Sequence, residues 1–529
     1  MDLSQLQAAS KQYPKSPDFT PSYGTAGFRA AAALLPSTVF RCGALMAARS
    51  LKTDGVTGLV VTASHNPEAD NGVKLVDPTG YMLCQEWEVY ADRLANAVDP
   101  DDVLAELQKL QDSECIPSGH AEVMIAHDTR QSAAELVGAA RCGVEAVGGA
   151  AVLCGLLTTP QLHWMVRQRH LGLPCSEESY FSSFLRAYEG LLRGHAASEA
   201  QVLIIDCANG VGGGKLQQLQ PQLAQLGLEL DLRNCGRGVL NEGCGADFVQ
   251  KDRQLPLECD GVGSAARCAS IDGDADRLVY FLPHGAGLRL FDGDKIAALA
   301  ALFIQSLLEG LQGPSVQIGV IQTAYANGSS TQYLRDTLGC QVVITPTGVK
   351  HLHEEAVKFD IGIYFEANGH GTVLFSPDLL QRLRKLQANE PAARDLLALA
   401  DLVNQAVGDA ISGILLVEVA LQRLNMTMAA WGSLYADLPS RQLKVTVEDR
   451  SIVTTTDAET RAMTPDGLQE SLDQAVQRTP SGRAFVRPSG TEDVVRVYAE
   501  ASTQEGADLL AKTVARVVYR TASGVGPAP

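Results

Sequence analysis

The sequence contains no long apolar segment and no surplus of positive charge. No stretch of about 18 uncharged apolar residues occurs, and the opening segment MDLSQLQAASKQYPK has no apolar core of the kind that secretory signals carry. We therefore expect neither a membrane partner nor secretion. The formal net charge of -18 disfavours nucleic acid as a partner, because binding it needs broad positive surface. Any phosphate group must then be bound locally.

Paired cysteine spacings are missing as well. The 12 cysteines are scattered along the chain, and no CxxC pair occurs among them. This spacing disfavours both a zinc site and a disulfide framework. Most of the thiols are expected to be small buried groups in a reducing compartment, so the predicted location is cytoplasmic.

The 529 residues are too many for one compact core, and chains of this length usually divide into roughly three to five domains. Hydrophobic residues make up 46% and charged residues 20%, which is the balance of a folded enzyme. Short runs rich in Val and Ile end in polar or glycine-rich turns, with helix-length segments between them. This pattern is typical of α/β proteins. The predicted strands include residues 58–62, 123–126, 202–205, 318–321 and 361–365.

A serine follows the first of these strands directly, in the segment TASHNP. Pro67 stops the strand from continuing, and we expect the hydroxyl of Ser64 to be exposed at a turn. Lys74 follows closely and adds a cation within reach. The six residues alone fit an ordinary turn as well as a functional serine.

Three carboxylates stand at alternate positions in the segment DGDADR, at Asp272, Asp274 and Asp276. In an extended or tightly curved segment such positions face one side, and three converging oxygens suit a hard divalent cation such as Mg²⁺. A calcium EF-hand is excluded, because its sixth and twelfth positions are Arg277 and Pro283 here instead of Gly and Glu. The remaining alternative is a solvated acidic turn.

A third polar loop, FEANGHG, ends another apolar strand. Glu366 and Asn368 could supply the acceptors and donors that sugar hydroxyls need in fixed directions. As an isolated motif the loop is weak, because any polar strand end has this composition.

A fourth loop, RPSGT, has the composition of a phosphate cradle. Arg487 offers a guanidinium fork, Ser489 and Thr491 offer hydroxyls, and the amide of Gly490 can approach a ligand closely. Arg496, on the strand that follows, could close over the same anion. The alternative is an arginine turn that binds a neighbouring carboxylate.

Taken in this order, the four loops resemble those of the α-D-phosphohexomutase superfamily, and the likeness runs from the segment YGTAGFR at residues 23–29 to Glu500. The resemblance implies an α/β fold of three similar α/β domains with mixed sheets, plus a smaller C-terminal α+β domain, around a central cleft. The domains implied are residues 1–172, 173–285, 286–437 and 438–529.

The resemblance also implies roles for the loop residues. Ser64 would carry the transferable phosphate, and a phosphoryl oxygen on it would hold Mg²⁺ together with Asp272, Asp274 and Asp276. The residues expected to assist catalysis are Arg29, His65 and Lys74. The residues expected against the sugar are Glu366, Ala367 and Asn368, and those expected to hold the phosphate that is not being transferred are Arg487, Pro488, Ser489, Gly490, Thr491 and Arg496.

In detail the loops are similar to those of superfamily members that act on N-acetylglucosamine phosphates. Asn368 stands where glucose-specific members more often carry serine, and an amide there is consistent with an N-acetyl sugar. The implied reaction interconverts the 6-phosphate and the 1-phosphate of N-acetylglucosamine through a sugar 1,6-bisphosphate, in the biosynthesis of UDP-N-acetylglucosamine.

The pattern departs from the superfamily at His127, where relatives commonly carry arginine, so no role is predicted for this residue. The alternatives are a phosphoglucomutase or phosphomannomutase, a phosphatase, and a non-catalytic phosphosugar-binding relative. The expected partner is a small phosphosugar, whereas the sequence leaves the oligomeric state and the general base undetermined.

Overall fold

The computed structural model describes residues 1–195, 201–285, 287–456, 458–490 and 492–529. Thr491 of the predicted phosphate loop therefore lies outside the described residues. The chain forms two compact units. The first consists of Met1–Gly293, Asn368–Leu374 and Arg382–Asn425, and the second of Asp294–Ala367, Phe375–Gln381 and Met426–Pro529. The predicted boundaries after residues 172, 285 and 437 divide the chain more finely, and that division stays a prediction.

Strands and helices alternate along most of the chain. The strands are β1 (Gly27–Ala31), β2 (Thr57–Val61), β3 (Asp70–Val76), β4 (Glu122–His127), β5 (Ala150–Leu156), β6 (Gln201–Asp206), β7 (Leu228–Arg233), β8 (Cys268–Ile271), β9 (Leu278–His284), β10 (Gly287–Phe291), β11 (Ile318–Thr323), β12 (Gln341–Thr345), β13 (Ile361–Phe365), β14 (Gly371–Phe375), β15 (Ser440–Thr446), β16 (Thr454–Thr455), β17 (Ala462–Thr464), β18 (Arg483–Pro488) and β19 (Val494–Glu500). The helices are α1 (Leu6–Ser10), α2 (Pro36–Thr53), α3 (Gln85–Asn96), α4 (Pro100–Ser113), α5 (Ala133–Glu145), α6 (Thr159–His170), α7 (Glu177–Leu192), α8 (Val211–Gln225), α9 (Ala246–Asp252), α10 (Gly293–Leu308), α11 (Gly328–Gln332), α12 (Val349–Ala356), α13 (Pro377–Leu386), α14 (Pro391–Leu402), α15 (Ala410–Arg423), α16 (Met428–Gly432), α17 (Leu468–Gln477) and α18 (Gln504–Thr521). Each of the five predicted strands overlaps an observed one, namely β2, β4, β6, β11 and β13.

The first unit contains two mixed sheets of the same design. Their strand orders are β1-β3-β2-β4-β5 and β10-β9-β8-β6-β7. In each sheet three strands run parallel, and an antiparallel strand follows directly after one of them, β3 after β2 and β9 after β8. The loops that make these two reversals carry the serine and the acidic segment. Each reversal places its loop between two adjacent strands of one sheet, at the end of the sheet where the parallel strand finishes.

Burial explains why these strands read as continuous apolar runs. β2 is buried along its whole length, as expected for a parallel strand covered on both faces. Its sheet packs under the long helix α2, whose buried residues include Phe40 and Leu45, and under α5. The serine that follows β2 is thus mounted on a rigid strand.

The second unit combines parallel and antiparallel sheets. β12, β11 and β13 are parallel to one another, whereas β15, β19 and β18 form an antiparallel sheet near the C-terminus. Helix α18 and helix α17 cover this sheet through a core that includes Val486, Val497 and Val514. The mixed sheets and the smaller C-terminal α+β region confirm the predicted fold class.

Two expectations from the sequence concern the cysteines and the helices. All twelve cysteines are free thiols, most of them at least half-buried. Among the described residues, no helix combines the length and the apolar character needed to span a bilayer.

Candidate active site

Ser64 follows β2 in a backbone conformation that L-residues rarely adopt. Its φ angle is 46°, in the left-handed region, which costs free energy for a non-glycine residue and often marks a functional turn. The expectation of an exposed hydroxyl is wrong, since only 2% of the residue is exposed. The hydroxyl is covered because the acidic loop of the neighbouring sheet packs directly onto the turn.

Three side chains fix the peptide groups of this turn. The Ser64 N–H donates to Oγ1 of Thr62 at 3.1 Å. The Ser64 carbonyl oxygen accepts from Nδ2 of Asn241 at 2.8 Å and from Nη2 of Arg130 at 3.3 Å. Arg130 is itself held by a buried ion pair with Asp128. Because the unusual backbone angle is satisfied by so many hydrogen bonds, the serine is held in one position.

The acidic segment begins directly after β8 and closes on itself. Oδ1 of Asp272 accepts from the N–H of Asp276 at 3.0 Å and from the N–H of Arg277 at 3.2 Å. Ala275, between the carboxylates, has a φ angle of 57°. In this tight turn one carboxylate oxygen of Asp272 accepts backbone hydrogen bonds, and the other oxygen faces the carboxylates of Asp274 and Asp276.

Gly273 allows the two loops to touch. A Cβ atom at this position would lie 2.7 Å from the carbonyl oxygen of Ser64 and 3.0 Å from Leu240. Any larger residue would push the acidic segment away from the serine. Glycine here therefore serves close approach of two backbones.

The three carboxylates converge on one point. Each of Asp272, Asp274 and Asp276 offers an oxygen, and the three oxygens lie within 4.8 Å of one another. Among the described residues, Oδ2 of Asp272, Oδ1 of Asp274 and Oδ1 of Asp276 are buried without a hydrogen-bond donor. Buried carboxylate oxygens that lack donors are costly, and a hard cation such as Mg²⁺ satisfies them with its preferred ligand type. The residues present fit a magnesium site.

Ser64 and Lys74 complete this cluster. The Ser64 hydroxyl donates to Oδ2 of Asp274 at 3.0 Å. The buried ammonium of Lys74 lies 2.7 Å from Oδ2 of Asp274 and 2.7 Å from Oδ2 of Asp276. The strand register explains its position, because Lys74 of β3 lies opposite Val60 of β2, just before the serine turn.

The pKa shifts in the cluster follow from burial and from the neighbouring charges. Burial raises the pKa of Asp272 well above its ordinary value, and the charges of Asp276 and Asp274 add to the effect. Burial also favours the neutral form of Asp276, but Lys74 and His370 hold the pKa of Asp276 well below its ordinary value. For Lys74, burial opposes the charge, yet Asp274 and Asp276 raise its pKa. Arg277 lies 3.9 Å from both Asp272 and Asp276 but also pairs with Asp247 at 3.1 Å. Lys74 and Arg277 carry less charge than the carboxylates they face, so a further cation is electrostatically favoured.

Thr159 is a member of the cluster that the sequence did not reveal. It is the first residue of α6, and its hydroxyl donates to Oδ2 of Asp274 at 2.6 Å, while its N–H donates to the carbonyl oxygen of Asp274 at 3.2 Å. A capping box between Thr158 and Gln161 fixes the start of this helix. The sequence signal available was the cap pattern Thr-x-x-Gln, which predicts the helix start but not its contact.

Arg29 and His65 lie beside this cluster in the first unit. Arg29 donates from Nη1 to Oδ1 of Asn66 at 3.0 Å, and burial, followed by the charge of Arg277, lowers its pKa. Burial and the positive charge of Arg277 lower the pKa of His65 to about 3. His65 is therefore a neutral imidazole at physiological pH. It also lines a cavity of about 880 Å³ whose wall includes Asn241.

The predicted sugar loop lies between β13 and β14, and its residues belong to different units. Glu366 and Ala367 are half-buried residues of the second unit. Asn368 belongs to the first unit, where its Oδ1 accepts from the N–H of His370 at 2.9 Å. Nδ1 of His370 lies 3.5 Å from Oδ1 of Asp276. This end of the loop is thus tied to the acidic segment.

The predicted phosphate loop lies in the second unit, between β18 and β19. Arg487 and Pro488 are the last residues of β18, and Ser489 and Gly490 follow in the turn. Arg487 and Arg496 are direct cross-strand partners. Arg487 forms an ion pair with Glu459 at 2.8 Å, so the structure contains the neighbouring carboxylate that the alternative interpretation required.

Family profiles match this chain over nearly its whole length. Two describe phosphoacetylglucosamine mutase AMG1, domain II at residues 173–279 and domain III at residues 292–426. Two describe phosphoglucomutase/phosphomannomutase, domain I at residues 42–97 and 106–175 and the C-terminal domain at residues 443–517.

Individual relatives match over their full length. A phosphoacetylglucosamine mutase of Arabidopsis thaliana is 49% identical over 549 residues, which cover 98% of each chain. The crystal structure of Aspergillus fumigatus N-acetylphosphoglucosamine mutase in complex with GlcNAc-6P and magnesium has a TM-score of 0.93 at 42% identity and covers 99% of this chain and 100% of that one. A variant of the Aspergillus enzyme in complex with glucose 1,6-bisphosphate has a TM-score of 0.91 at 42% identity, with 98% of each chain covered.

Proposed function

This chain belongs to the phosphoacetylglucosamine mutase family, and we propose that it interconverts N-acetylglucosamine 6-phosphate and N-acetylglucosamine 1-phosphate by way of a phosphate carried on Ser64. It is an isomerase of the phosphohexomutase type. The observation that carries the proposal is the position of the Ser64 hydroxyl, 3.0 Å from Asp274 inside a cluster of buried carboxylates with unsatisfied oxygens.

The reaction has two phosphoryl transfers. In the first, the bond between phosphorus and Oγ of Ser64 breaks, a bond from phosphorus to the free hydroxyl of the monophosphate forms, and the proton of that hydroxyl goes to a base. The product is the 1,6-bisphosphate of the sugar. In the second, the bond between the other phosphorus and its sugar oxygen breaks, a bond from that phosphorus to Oγ of Ser64 forms, and the proton held by the base goes to the sugar oxygen. The sugar leaves with its phosphate at the new position. No phosphate is consumed overall.

Magnesium fits the acidic cluster. Asp272, Asp274 and Asp276 would hold it together with a phosphoryl oxygen on Ser64, since each aspartate has one buried oxygen without a donor among the described residues. Bound there, Mg²⁺ supplies positive charge that offsets the negative charge of the transferring group, which is where most catalysis of phosphoryl transfer lies.

The protein's own cations act on the same group. Lys74 holds Asp274 and Asp276 at 2.7 Å and is fully charged, because those carboxylates raise its pKa. It is therefore placed to stabilise the oxygen that remains on Ser64 when the phosphate leaves. Arg29 adds a second positive charge nearby, whereas His65 adds none, because its pKa is about 3.

Substrate binding is assigned to the two remaining loops. We propose that Glu366, Ala367 and Asn368 contact the sugar. The phosphate that is not being transferred would be held by Arg487, Pro488, Ser489, Gly490, Thr491 and Arg496. In support, Arg487 and Arg496 stand opposite each other on adjacent strands, and guanidinium groups are well suited to bind phosphate.

The proposed location is cytoplasmic. Twelve free thiols, several of them partly exposed, fit a reducing compartment better than an oxidising one. A small phosphosugar is the only partner that the proposal requires.

A coupled assay tests the proposed function. The purified chain is supplied with N-acetylglucosamine 6-phosphate, Mg²⁺ and a trace of sugar 1,6-bisphosphate, and formation of the 1-phosphate is followed. We expect turnover that exceeds the turnover of glucose 6-phosphate, together with phosphate on Ser64 in the mass spectrum of the intact protein. Release of free phosphate without formation of the 1-phosphate would identify a phosphatase instead.

A further inference from the structure

In the second unit, the carboxylate of Glu459 forms an ion pair with the guanidinium of Arg487, in the predicted phosphate loop. Glu459 lies in the turn between β16 and β17, and its φ angle is 56°, in the left-handed region. A glutamate is rarely found in this conformation without a compensating contact. Here the compensating contacts are hydrogen bonds to both oxygens of the Glu459 carboxylate.

The two oxygens of this carboxylate bind two different segments. Oε1 accepts from Nε of Arg487 at 2.8 Å. Oε2 accepts from the N–H of Thr347 at 2.9 Å and from its hydroxyl at 2.5 Å. Thr347 follows β12 at its carboxyl end. A guanidinium, a backbone N–H and a hydroxyl are the donors that proteins use for phosphate.

The surrounding charge also calls for an anion. The cross-strand register places Arg487 opposite Arg496, and Arg496 opposite Lys444 on the next strand. Like charges in this arrangement destabilise a sheet unless anions compensate them. Lys444 pairs with Glu492 at 3.5 Å and Arg487 with Glu459 at 2.8 Å, so Arg496 is the cation of this row without an ion pair among the described residues. Nε of Arg496 is buried and has no hydrogen-bond partner among the described residues, so the carboxylate of Glu459 satisfies only part of this site.

Tyr325 packs against the two strands that carry these arginines. Its ring packs on Phe485 and Tyr498 at centroid distances of 5.1 Å and 5.6 Å. Burial raises the pKa of Tyr325, while the positive charges of Arg487 and Arg496 oppose the rise. The charges of both arginines and the opposing charge of Glu459 thus all act on the hydroxyl of Tyr325.

We propose that the carboxylate of Glu459 is an internal anion that occupies the donors of Arg487 and Thr347 in the free protein and is displaced by the phosphate of the substrate. The inference rests on the proposed function and adds a residue that sets the affinity of this site. A phosphate dianion carries more charge than a carboxylate and can also satisfy Arg496, so it displaces Glu459.

The test compares phosphate binding in two full-length chains, both with Ser64→Ala so that no phosphate is transferred. Inorganic phosphate is titrated into the chain with Glu459 and into the chain with Glu459→Gln by calorimetry. We expect the Kd for phosphate to be about tenfold lower in the Gln chain, because the competing carboxylate is absent. A tenfold change corresponds to about 1.4 kcal/mol of binding free energy. An unchanged or higher Kd overturns the inference, since Glu459 would then be an orienting group of Arg487.

Three further variants sharpen the result. Glu492→Gln removes the same charge from an exposed carboxylate that pairs with Lys444 at 3.5 Å, and it should change the Kd less than twofold. Adding Arg487→Gln to Glu459→Gln should abolish the gain, because the released donor is gone. Glu459→Asp keeps the charge with a shorter reach, and it should bind phosphate more tightly than the parent even where the Gln chain fails to fold.

The outcomes separate this inference from the proposed function. Absence of mutase turnover in the unmodified chain refutes the proposed function whatever the phosphate affinities are. Normal turnover with no tightening in either Glu459 variant refutes only the role of Glu459.

Discussion

The hydroxyl oxygen of Ser64 lies 3.0 Å from Oδ2 of Asp274, 210 positions further along the chain. Gly273 brings the backbones of the two loops into contact, and Asn241 bonds the Ser64 carbonyl from a third segment. The serine and the acidic segment therefore form one rigid structure. A phosphate on Ser64 would stand directly beside the three carboxylates.

Ser64→Ala should abolish mutase turnover and leave the fold intact. Among the described residues the hydroxyl makes one hydrogen bond, to Asp274, so its loss costs about 1 kcal/mol of stability. Loss of a nucleophile, by contrast, lowers the rate by more than about 1000-fold. Activity is measured in the coupled assay and folding by circular dichroism. Ser182→Ala, at an exposed serine of the same unit, is the control. Turnover of Ser64→Ala near that of the control would remove Ser64 from the reaction.

Asp274→Asn should lower the rate and the apparent affinity for Mg²⁺ together. Oδ2 of Asp274 accepts from Ser64, Lys74 and Thr159, and an amide can neither pair with the lysine nor offer a charged oxygen to a cation. We expect a loss of at least about 100-fold in kcat. The measurement is a magnesium titration of activity, with the exposed Asp252→Asn as the control. An unchanged half-maximal Mg²⁺ concentration contradicts the assignment.

Thr159→Val should lower kcat about tenfold, because it removes one strong hydrogen bond to Asp274 and keeps the shape of the side chain. Thr159→Ser retains the hydroxyl and should recover most of the activity. Steady-state kinetics of the two variants decide the point. Equal activities in Val and Ser would show that packing, and not the hydrogen bond, is what this residue contributes.

His163 should make the protein less stable in mild acid. Burial lowers its pKa to about 4, against a hydrogen bond with the carbonyl of Gly80 that raises it. Lys74 and His370 lower the pKa further, and Asp276 opposes them. The ordinary pKa of histidine is 6.5, so between pH 6.5 and about 4 the unfolded chain binds a proton that the folded chain does not.

The contribution of neutral His163 is therefore complete above pH 6.5 and is lost as the pH falls toward 4. The free energy of unfolding should drop by up to about 1.4 kcal/mol per pH unit, or about 3 kcal/mol in total. Denaturant unfolding at several pH values measures this slope. His163→Gln should flatten it, and the exposed His170→Gln should not. Identical slopes in all three proteins would rule the effect out.

Residues that stand together in the sequence were the ones that could be identified from it. Asp272, Asp274 and Asp276 alternate within one segment, and Ser64 follows an apolar run that forms β2. Such patterns are local, because side-chain direction along a strand or a turn has a fixed period. The strands themselves were predictable for the same reason.

The residues that were missed act across long separations. Thr159 reaches Asp274 over 115 positions, and Asn241 reaches Ser64 over 177. The cap pattern at Thr158 predicts where the helix begins, but it does not predict which residues that helix contacts. The contact of Glu459 with Thr347 spans 112 positions and likewise has no local signature.

The composition and the spacing of residues by themselves predicted an α/β fold, five of its strands and the candidate site residues, since these depend on chemistry within a few neighbouring residues. Only the tertiary structure decided that Ser64 is buried and that its backbone is held by Asn241 and Arg130. It also decided that Glu459 fills the phosphate loop. Packing settles such points because burial and hydrogen bonding depend on which distant segments meet, and that is fixed by the sheet topology as a whole.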